Sequence, residues 1–309
     1  LLFFMGVILA RNFIDKSQEL HEQHLQLSEK AAMEIETFLD KQRLALETLA
    51  QQIIQGDIIE PNRLYYMIQG VNIQYPSMQE ILLLNPEYTI SSVDGLLEPL
   101  QVTEKNQLLA LVLEKLPLED FENSYLSPQI EITEGQQASF LVVRIVDQEN
   151  VFWGYLIGRL DPQTFLKFLN KYQVYPSCYA TLMDSNMEIV ITTYEGGKEA
   201  LIVGPIGDSL RAGVSGTLDY FSPVKGQREI AGFTTVGDQG WGLWIAAARN
   251  EIMRPQYRVA TISLLFILLS MGVVLFIRRL IVNHITQPLV ILDMASQELA
   301  EGNLSFRVV

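Results

Sequence analysis

Nineteen consecutive residues without a charge, VATISLLFILLSMGVVLFI at 259–277, set the first limit on what this chain can fold into. A helix of roughly 20 apolar residues crosses a ~30 Å hydrocarbon core. The Ser, Thr and Gly inside the run cost little, because a helix satisfies its own backbone hydrogen bonds. Arginines bracket it, Arg254 and Arg258 before and Arg278 and Arg279 after. The competing assignment is a buried helix of a soluble core. Such a helix rarely stays apolar on every face for so long. The run therefore predicts a transmembrane helix over 255–278.

A shorter apolar stretch, LLFFMGVILA, opens the chain and ends at Arg11. At about ten residues it is too short to span. Residues 1–11 are expected to be the end of a first transmembrane helix. A signal-peptide remnant is the alternative, and no small-x-small cleavage site accompanies it.

Charge narrows the function. The chain carries 36 acidic against 22 basic residues, a formal −14. From Arg278 onward the signs cancel, so the excess lies before the second span. An acidic exterior argues against nucleic acid and against docking on anionic lipid. Cys178 is alone, so no intrachain disulfide forms and the fold must rest on its core. In the strand-like CYATLMD it reads as a small buried apolar residue. His21, His24 and His284 stand far along the chain from it, which leaves a nucleophile without a base. His21 and His24, three apart, read as solvated helix surface and not as metal ligands. No P-loop is present, and no GxGxxG opens a helix. No catalytic residue, metal or cofactor is expected in residues 1–309. Whether a longer protein is an enzyme is left open.

Read in order, residues 12–56 form a stalk helix. They lack Pro and Gly until Gly56, and Ile35, Leu39, Gln42, Leu46, Leu49 and Ile53 recur at steps of four and three. Pro61 opens a shorter helix to about Tyr75. MQEILLLNPEYTISSVDG reads as a strand, an Asn-Pro turn and a second strand. A helix with Thr103 as N-cap follows over 103–116, and residues 123–132 read as irregular. ASFLVVRIVDQENVFWGYLIGRLD makes two strands around an Asp-Gln-Glu-Asn turn, and a helix covers 162–172. The order then repeats in smaller form. CYATLMDSNMEIVIT is a strand, turn and strand, the region 204–216 is Gly-rich, GTLDYFSPVKGQREIAGFTTV is a hairpin, and GWGLWIAAA is a last strand. The fold class is α+β: a long N-terminal stalk helix carrying two PAS-like antiparallel-sheet modules, at 57–172 and 173–250, flanked by transmembrane helices.

Beyond the span, Ile285, Leu292 and Leu299 are seven apart, and Leu289 occupies the adjoining seam. A heptad seam is narrow and must pair with another helix. Pro288 comes early, where a helix tolerates it, and Gly302-Asn303 closes the segment as a C-terminal cap would.

These strings resemble two known families. Residues 28–251 resemble the double Cache sensor domain of bacterial transmembrane receptors, in the strand–Asp/Asn turn–strand units, in GYLIGRLDPQTFLKFL and in GWGLWIAAARNEI. ITQPLVILDMASQELAEGNLSFRVV resembles the first half of a HAMP linker (279–309), matching at Pro288, Leu292, Glu298, Gly302 and Leu304. The resemblance implies a homodimer in the bacterial inner (plasma) membrane, multi-pass, with residues 12–258 extracytoplasmic and an output domain after Val309. It also implies that module 57–172 is the membrane-distal one and binds a small molecule between its sheet (138–160) and a covering segment (116–132). Tyr125, Arg144, Trp153, Tyr155 and Arg159 are the candidates to face that ligand. An aromatic wall with one or two cations suits a carboxylate. The amino-acid-binding version of the family carries Arg-x-Trp-Tyr ahead of the pocket, and that string is absent between Asp94 and Ser139. Where that version places an Asp for the ligand's ammonium, this chain has Arg159 at or next to the position. A cation accepts no hydrogen bond from an ammonium group, so the expectation is an anion or dicarboxylate.

The function expected is extracytoplasmic sensing coupled through HAMP to an output domain. A histidine kinase stands first, with a chemotaxis receptor or diguanylate cyclase as alternatives. An anchored enzyme or adhesive ectodomain without signalling output, and recognition of a ligand-loaded binding protein, are the rivals.

Overall fold

The computed structural model describes residues 2–56, 61–86, 110, 113–118, 121–133, 136–196, 204–223 and 225–300. The chain divides into two compact units, Gln18–Ile252 and Leu1–Ser17 with Met253–Val309.

A 54-residue helix, Leu2–Gln55, begins the fold. Every member of the seam expected between Ile35 and Ile53 is buried. The stripe also runs further back, through Leu20, His24, Ser28 and Ala31. His24, expected on a solvated face, is only 1 % exposed. The three-and-four spacing that buries Ile35 reaches it by the same arithmetic.

Two antiparallel sheets lie along this helix. The first contains β1 (Met78–Leu84), β2 (Ser124–Leu126), β3 (Ile130–Thr133), β4 (Gln136–Val146) and β5 (Phe152–Leu160). Its order is β1-β5-β4-β2, with β3 also paired to β4. The second contains β6 (Tyr179–Met183), β7 (Ile189–Thr192), β8 (Gly216–Ser222), β9 (Gln227–Val236) and β10 (Trp241–Ala248), in the order β7-β6-β10-β9-β8. The run β6-β10-β9-β8 repeats β1-β5-β4-β2, so the two modules share one topology.

Close approach of the stalk helix to the sheets depends on two glycines. A Cβ at Gly232 on β9 would strike the His24 carbonyl, and one at Gly158 on β5 would strike the Met78 side chain, with Leu46 next to it. Ser28 Oγ donates 2.7 Å to the Gly232 carbonyl oxygen at the same crossing. On the opposite faces lie the covers. In the first module Leu116, Leu118 and Ile130 pack on Phe140, Val142, Tyr155 and Ile157. In the second, Ile206 and Leu210 pack on Tyr179, Phe233 and Trp244.

Five readings need correction or completion. Residues 123–132 are not irregular: β2 and β3 sit there, short because Ser127-Pro128 separates them and Pro has no N–H to give a ladder. The Gly-rich region holds a helix, Gly204–Arg211, with Pro205 in its first turn and Ile206 and Leu210 buried four apart. The strand expected after Asn85-Pro86 and most of the helix expected at 103–116 lie outside the described residues. Ala110 and residues 113–115 are helical. The shorter helix after Leu160 runs Gln163–Leu169 and tightens into a 3-10 turn at Asn170–Tyr172.

A helix runs Arg249–Ile281 with Pro255 inside it, and from Met253 on it belongs to the other unit, followed by a π turn at Val282–Thr286 and a helix Gln287–Ala300. Pro288 lacks the N–H that would close a normal turn and its ring crowds the carbonyl four residues back, which accounts for the wide turn before it. Among the described residues one helical stretch, Arg249–Met294, is long and apolar enough to cross a membrane.

Candidate ligand-binding site

Strand alternation and register assemble one face of the first sheet. Across β1, β5 and β4 the rows are Glu80/Arg159/Phe140, Leu82/Ile157/Val142 and Leu84/Tyr155/Arg144. Tyr125 on β2 stands opposite Val142. Four of the five predicted residues, Tyr125, Arg144, Tyr155 and Arg159, therefore share the face under the cover.

Tyr155 is buried and its hydroxyl donates 2.6 Å to the Leu118 carbonyl, tying sheet to cover. Its ring meets Phe152 edge-on at 4.9 Å. Tyr125 stacks on Phe121 of the cover, with centroids 5.7 Å apart and planes at 19°. Burial pushes its phenol up, and the Asp184 carboxylate adds to that.

The two arginines differ. Arg159 Nη1 lies 3.4 Å from Glu80 Oε2, so its charge is matched. Arg144 holds its guanidinium 5.1 Å from the Phe152 ring centre, a cation–π distance. Its Nε is buried without a hydrogen-bond partner, as is that of Arg159. Among the described residues no carboxylate pairs with Arg144. A guanidinium can pair with a planar anion through two parallel N–H donors.

Trp153 stands apart from these four. It lies at the irregularity where the β4–β5 register slips between Ile145 and Val146. It is 39 % exposed, and its Nε1 donates 3.0 Å to Asp147 Oδ2 in the hairpin turn. Asp147 Oδ1 also accepts from the Val151 and Glu149 backbone N–H groups. The Val151 bond, then the Trp153 bond, hold this carboxyl below its usual range.

Four residues of the site were not anticipated from the sequence: Glu80, Phe121, Phe152 and Gln129. Phe152 takes the inward place that simple alternation gives to Trp153. Gly154, at φ +131° and with no room for a Cβ beside the Leu84 carbonyl, is the sequence signal for that slip. Gln129, beside the cover strand β3, reaches the second module. Its N–H donates 2.8 Å to Asp184 Oδ2, and its Nε2 donates 3.3 Å to the Val190 carbonyl. Asp184 is fully buried and its Oδ1 also accepts from Asn186 and Glu188 N–H. A groove of about 730 Å³ passes this junction, between Lys115, Gln129, Glu131 and Asn186.

No known family model matches the sequence, and no characterised protein matches it at sequence level. Solved structures do match. The extracellular domain of a candidate histidine kinase, rpHK1S-Z16, superposes with a TM-score of 0.59 at 12 % identity, covering 78 % of this chain and 98 % of its own. The periplasmic sensory domain of the Campylobacter jejuni chemoreceptor Tlp1 gives 0.57 at 14 %, covering 77 % and 98 %. The ligand-binding domain of the Pseudomonas fluorescens chemoreceptor CtaA, in complex with L-leucine, gives 0.51 at 17 %, covering 76 % and 97 %. The fold is that of a double Cache sensor domain. Within this double Cache fold the four gathered residues lie between the first sheet and its cover.

Of the linker residues, Pro288, Leu292 and Glu298 fall in the helix Gln287–Ala300, and Gly302 lies outside the described residues. Ile285, Leu289 and Leu292 are all more than half exposed. Among the described residues, these three seam positions are thus unpartnered in a single chain.

Proposed function

We propose that this chain is the sensing and membrane-spanning part of a dimeric bacterial receptor whose first module binds a small carboxylate. The observation that carries the ligand class is Arg144: a guanidinium on the Tyr155 face of the sheet, over an aromatic ring, with no carboxylate paired to it among the described residues. Tyr125 and Tyr155 supply aromatic wall and polar tips beside it. Arg159, matched by Glu80, orients the far row and leaves Arg144 as the anion's partner. The five predicted residues keep separate roles in this reading, with Trp153 fixing the hairpin that carries Phe152.

Glu80 supports a second ligand reading. An acceptor for an ammonium group is present on this face beside Arg159, and CtaA was solved with L-leucine and with L-isoleucine. Glu80 lies two strands across and four residues along from Arg144, so an α-amino acid would set its ammonium toward Glu80 and its carboxylate toward the neighbouring Arg159 and not on Arg144. A melting screen of the chain in detergent or nanodiscs against mono- and dicarboxylates and amino acids separates the two. Binding at a hundredfold excess over Kd stabilises by about 2.7 kcal/mol. Hits confined to simple acids favour the first reading, and hits confined to amino acids favour the second. No hit of either kind, with a shift on adding a periplasmic binding protein, would move recognition to a protein partner.

Signal would leave through the second module. Gln129 ties the cover to Asp184, and β10 runs directly into the helix Arg249–Ile281. A ligand that favours one cover position biases the whole two-state arrangement by its differential affinity. The exposed heptad positions are proposed to pair with a second copy in a HAMP-type bundle at Pro288, Leu292, Glu298 and Gly302. The membrane is the bacterial inner membrane, with 12–258 outside, and the output domain proposed is a histidine kinase. Reading the gene past Val309 tests this: a dimerisation helix with a phosphorylatable His supports it, and a chemoreceptor coiled coil or a cyclase domain replaces it.

A further inference from the structure

The corresponding face of the second module holds a different chemistry. Glu229 on β9 is fully buried. Its Oε2 accepts hydrogen bonds from the Tyr179 and Tyr220 hydroxyls, both at 2.9 Å. Those hydroxyls are 3.0 Å from each other. Burial raises both phenols, so they stay neutral donors. Into this cluster reaches the ammonium of Lys225, from the tight turn between β8 and β9. Lys225 Nζ stands 4.0 Å from the Tyr179 ring centre and 4.7 Å from that of Tyr194. It donates to the Ser177 carbonyl at 3.3 Å and lies 3.3 Å from Glu229 Oε1. That last contact is an ion pair without hydrogen-bond alignment, since Oε1 has no hydrogen-bond partner.

Two aromatic faces, a carboxylate and a carbonyl around one nitrogen are the parts of an organic-ammonium site. The cluster sits where Tyr179, Tyr194 and Tyr220 meet the core under the Gly204–Arg211 cover. Its occupant comes from a solvent-facing hairpin and not from the sheet itself. We propose that the second module carries a binding site for a small primary amine, built by Tyr179, Tyr194 and Glu229, and that Lys225 fills it as a tethered ligand that a free amine displaces. The site is separate from Arg144 and does not depend on the carboxylate reading. A tether supplies an effective concentration in the mM range. A free amine must therefore compete strongly in the native chain and bind far better once the tether is cut.

The test is thermal melting of the full chain in nanodiscs with n-propylammonium, using n-propanol and sodium chloride as controls. The native chain and Lys225→Ala are compared, with Lys225→Met as a variant that fills the cage without charge. The proposal expects propylammonium to stabilise Lys225→Ala at concentrations at least tenfold lower than the native chain. Propanol should be inert, and Lys225→Met should not respond. In a Lys225→Ala, Glu229→Gln double variant the response should vanish. If Lys225→Ala is unfolded alone, recovery of its melting transition by propylammonium reads the same result. Equal responses of the native chain and Lys225→Ala, an equal effect of propanol, or no response from Lys225→Ala would overturn the proposal and leave Lys225–Glu229 a purely structural pair.

Discussion

Acid should loosen the stalk helix from the second sheet through one side chain. His24 is buried against β9, stacked on Tyr175 at 6.1 Å, and neither ring nitrogen has a hydrogen-bond partner. Burial, with the nearby His21 charge adding to it, lowers its pKa from 6.5 to about 4. The unfolded chain takes up this proton near the ordinary value, and the folded chain only near 4. The stabilisation is therefore complete above about pH 6.5, falls as pH drops, and is gone below about 4. At about 1.4 kcal/mol per pH unit, the gap amounts to about 3 kcal/mol. The perturbation is His24→Leu, which keeps the volume and removes the titration. Urea unfolding of both chains at pH 7 and pH 4 gives the difference, in which the many surface carboxylates cancel. The native chain should lose about 3 kcal/mol more than His24→Leu over that interval. Parallel losses in the two chains would refute the argument and mean that His24 is solvated in the folded protein.

Other outcomes follow from the same contacts. Gly232→Ala pushes a methyl into the His24 backbone and should cost about 3 kcal/mol, whereas Gly158→Ala meets the flexible Met78 side chain and should cost about half of that, both read as melting shifts. Asp184→Ala strands three backbone N–H groups, those of Gln129, Asn186 and Glu188, and should cost about 2–4 kcal/mol in chemical unfolding. Gln129→Ala keeps Asp184's bond to the main chain and should leave stability within about 1 kcal/mol. Replacing Leu292 by Asp should abolish cross-linking between copies at exposed linker positions while leaving melting of the sensor sheets unchanged.

How much of this was legible in the sequence depends on how local each signal is. The stalk seam, the β4–β5 hairpin and a helix through the apolar run 259–277 are written in local residue patterns and are found where expected. The Gly204–Arg211 helix was hidden because two glycines and a proline mask a single i, i+4 pair, Ile206 and Leu210. β2 and β3 are too short to show a period, and only their pairing with β4 makes them strands. Among the site residues, parity along β5 places Tyr155 and Arg159 on one face, and the slip at Gly154 takes Trp153 off it. The Arg159–Glu80 pair joins strands 79 positions apart. No one-dimensional pattern reveals such a pair, and it changes the charge available to a ligand. His24 shows the converse: the stripe already contained it, and its polarity concealed that.

Arg144 is proposed to hold the carboxylate of a small ligand on the face of the first sheet that bears Tyr155. Calorimetric titration of the stabilising ligand into the native chain, Arg144→Met and Arg159→Met tests it most directly. Binding to the native chain should be saturable and should weaken at least tenfold, about 1.4 kcal/mol, in Arg144→Met with its melting temperature unchanged. Arg159→Met should lose less. Undiminished binding in Arg144→Met would contradict the claim and move the site elsewhere on the chain.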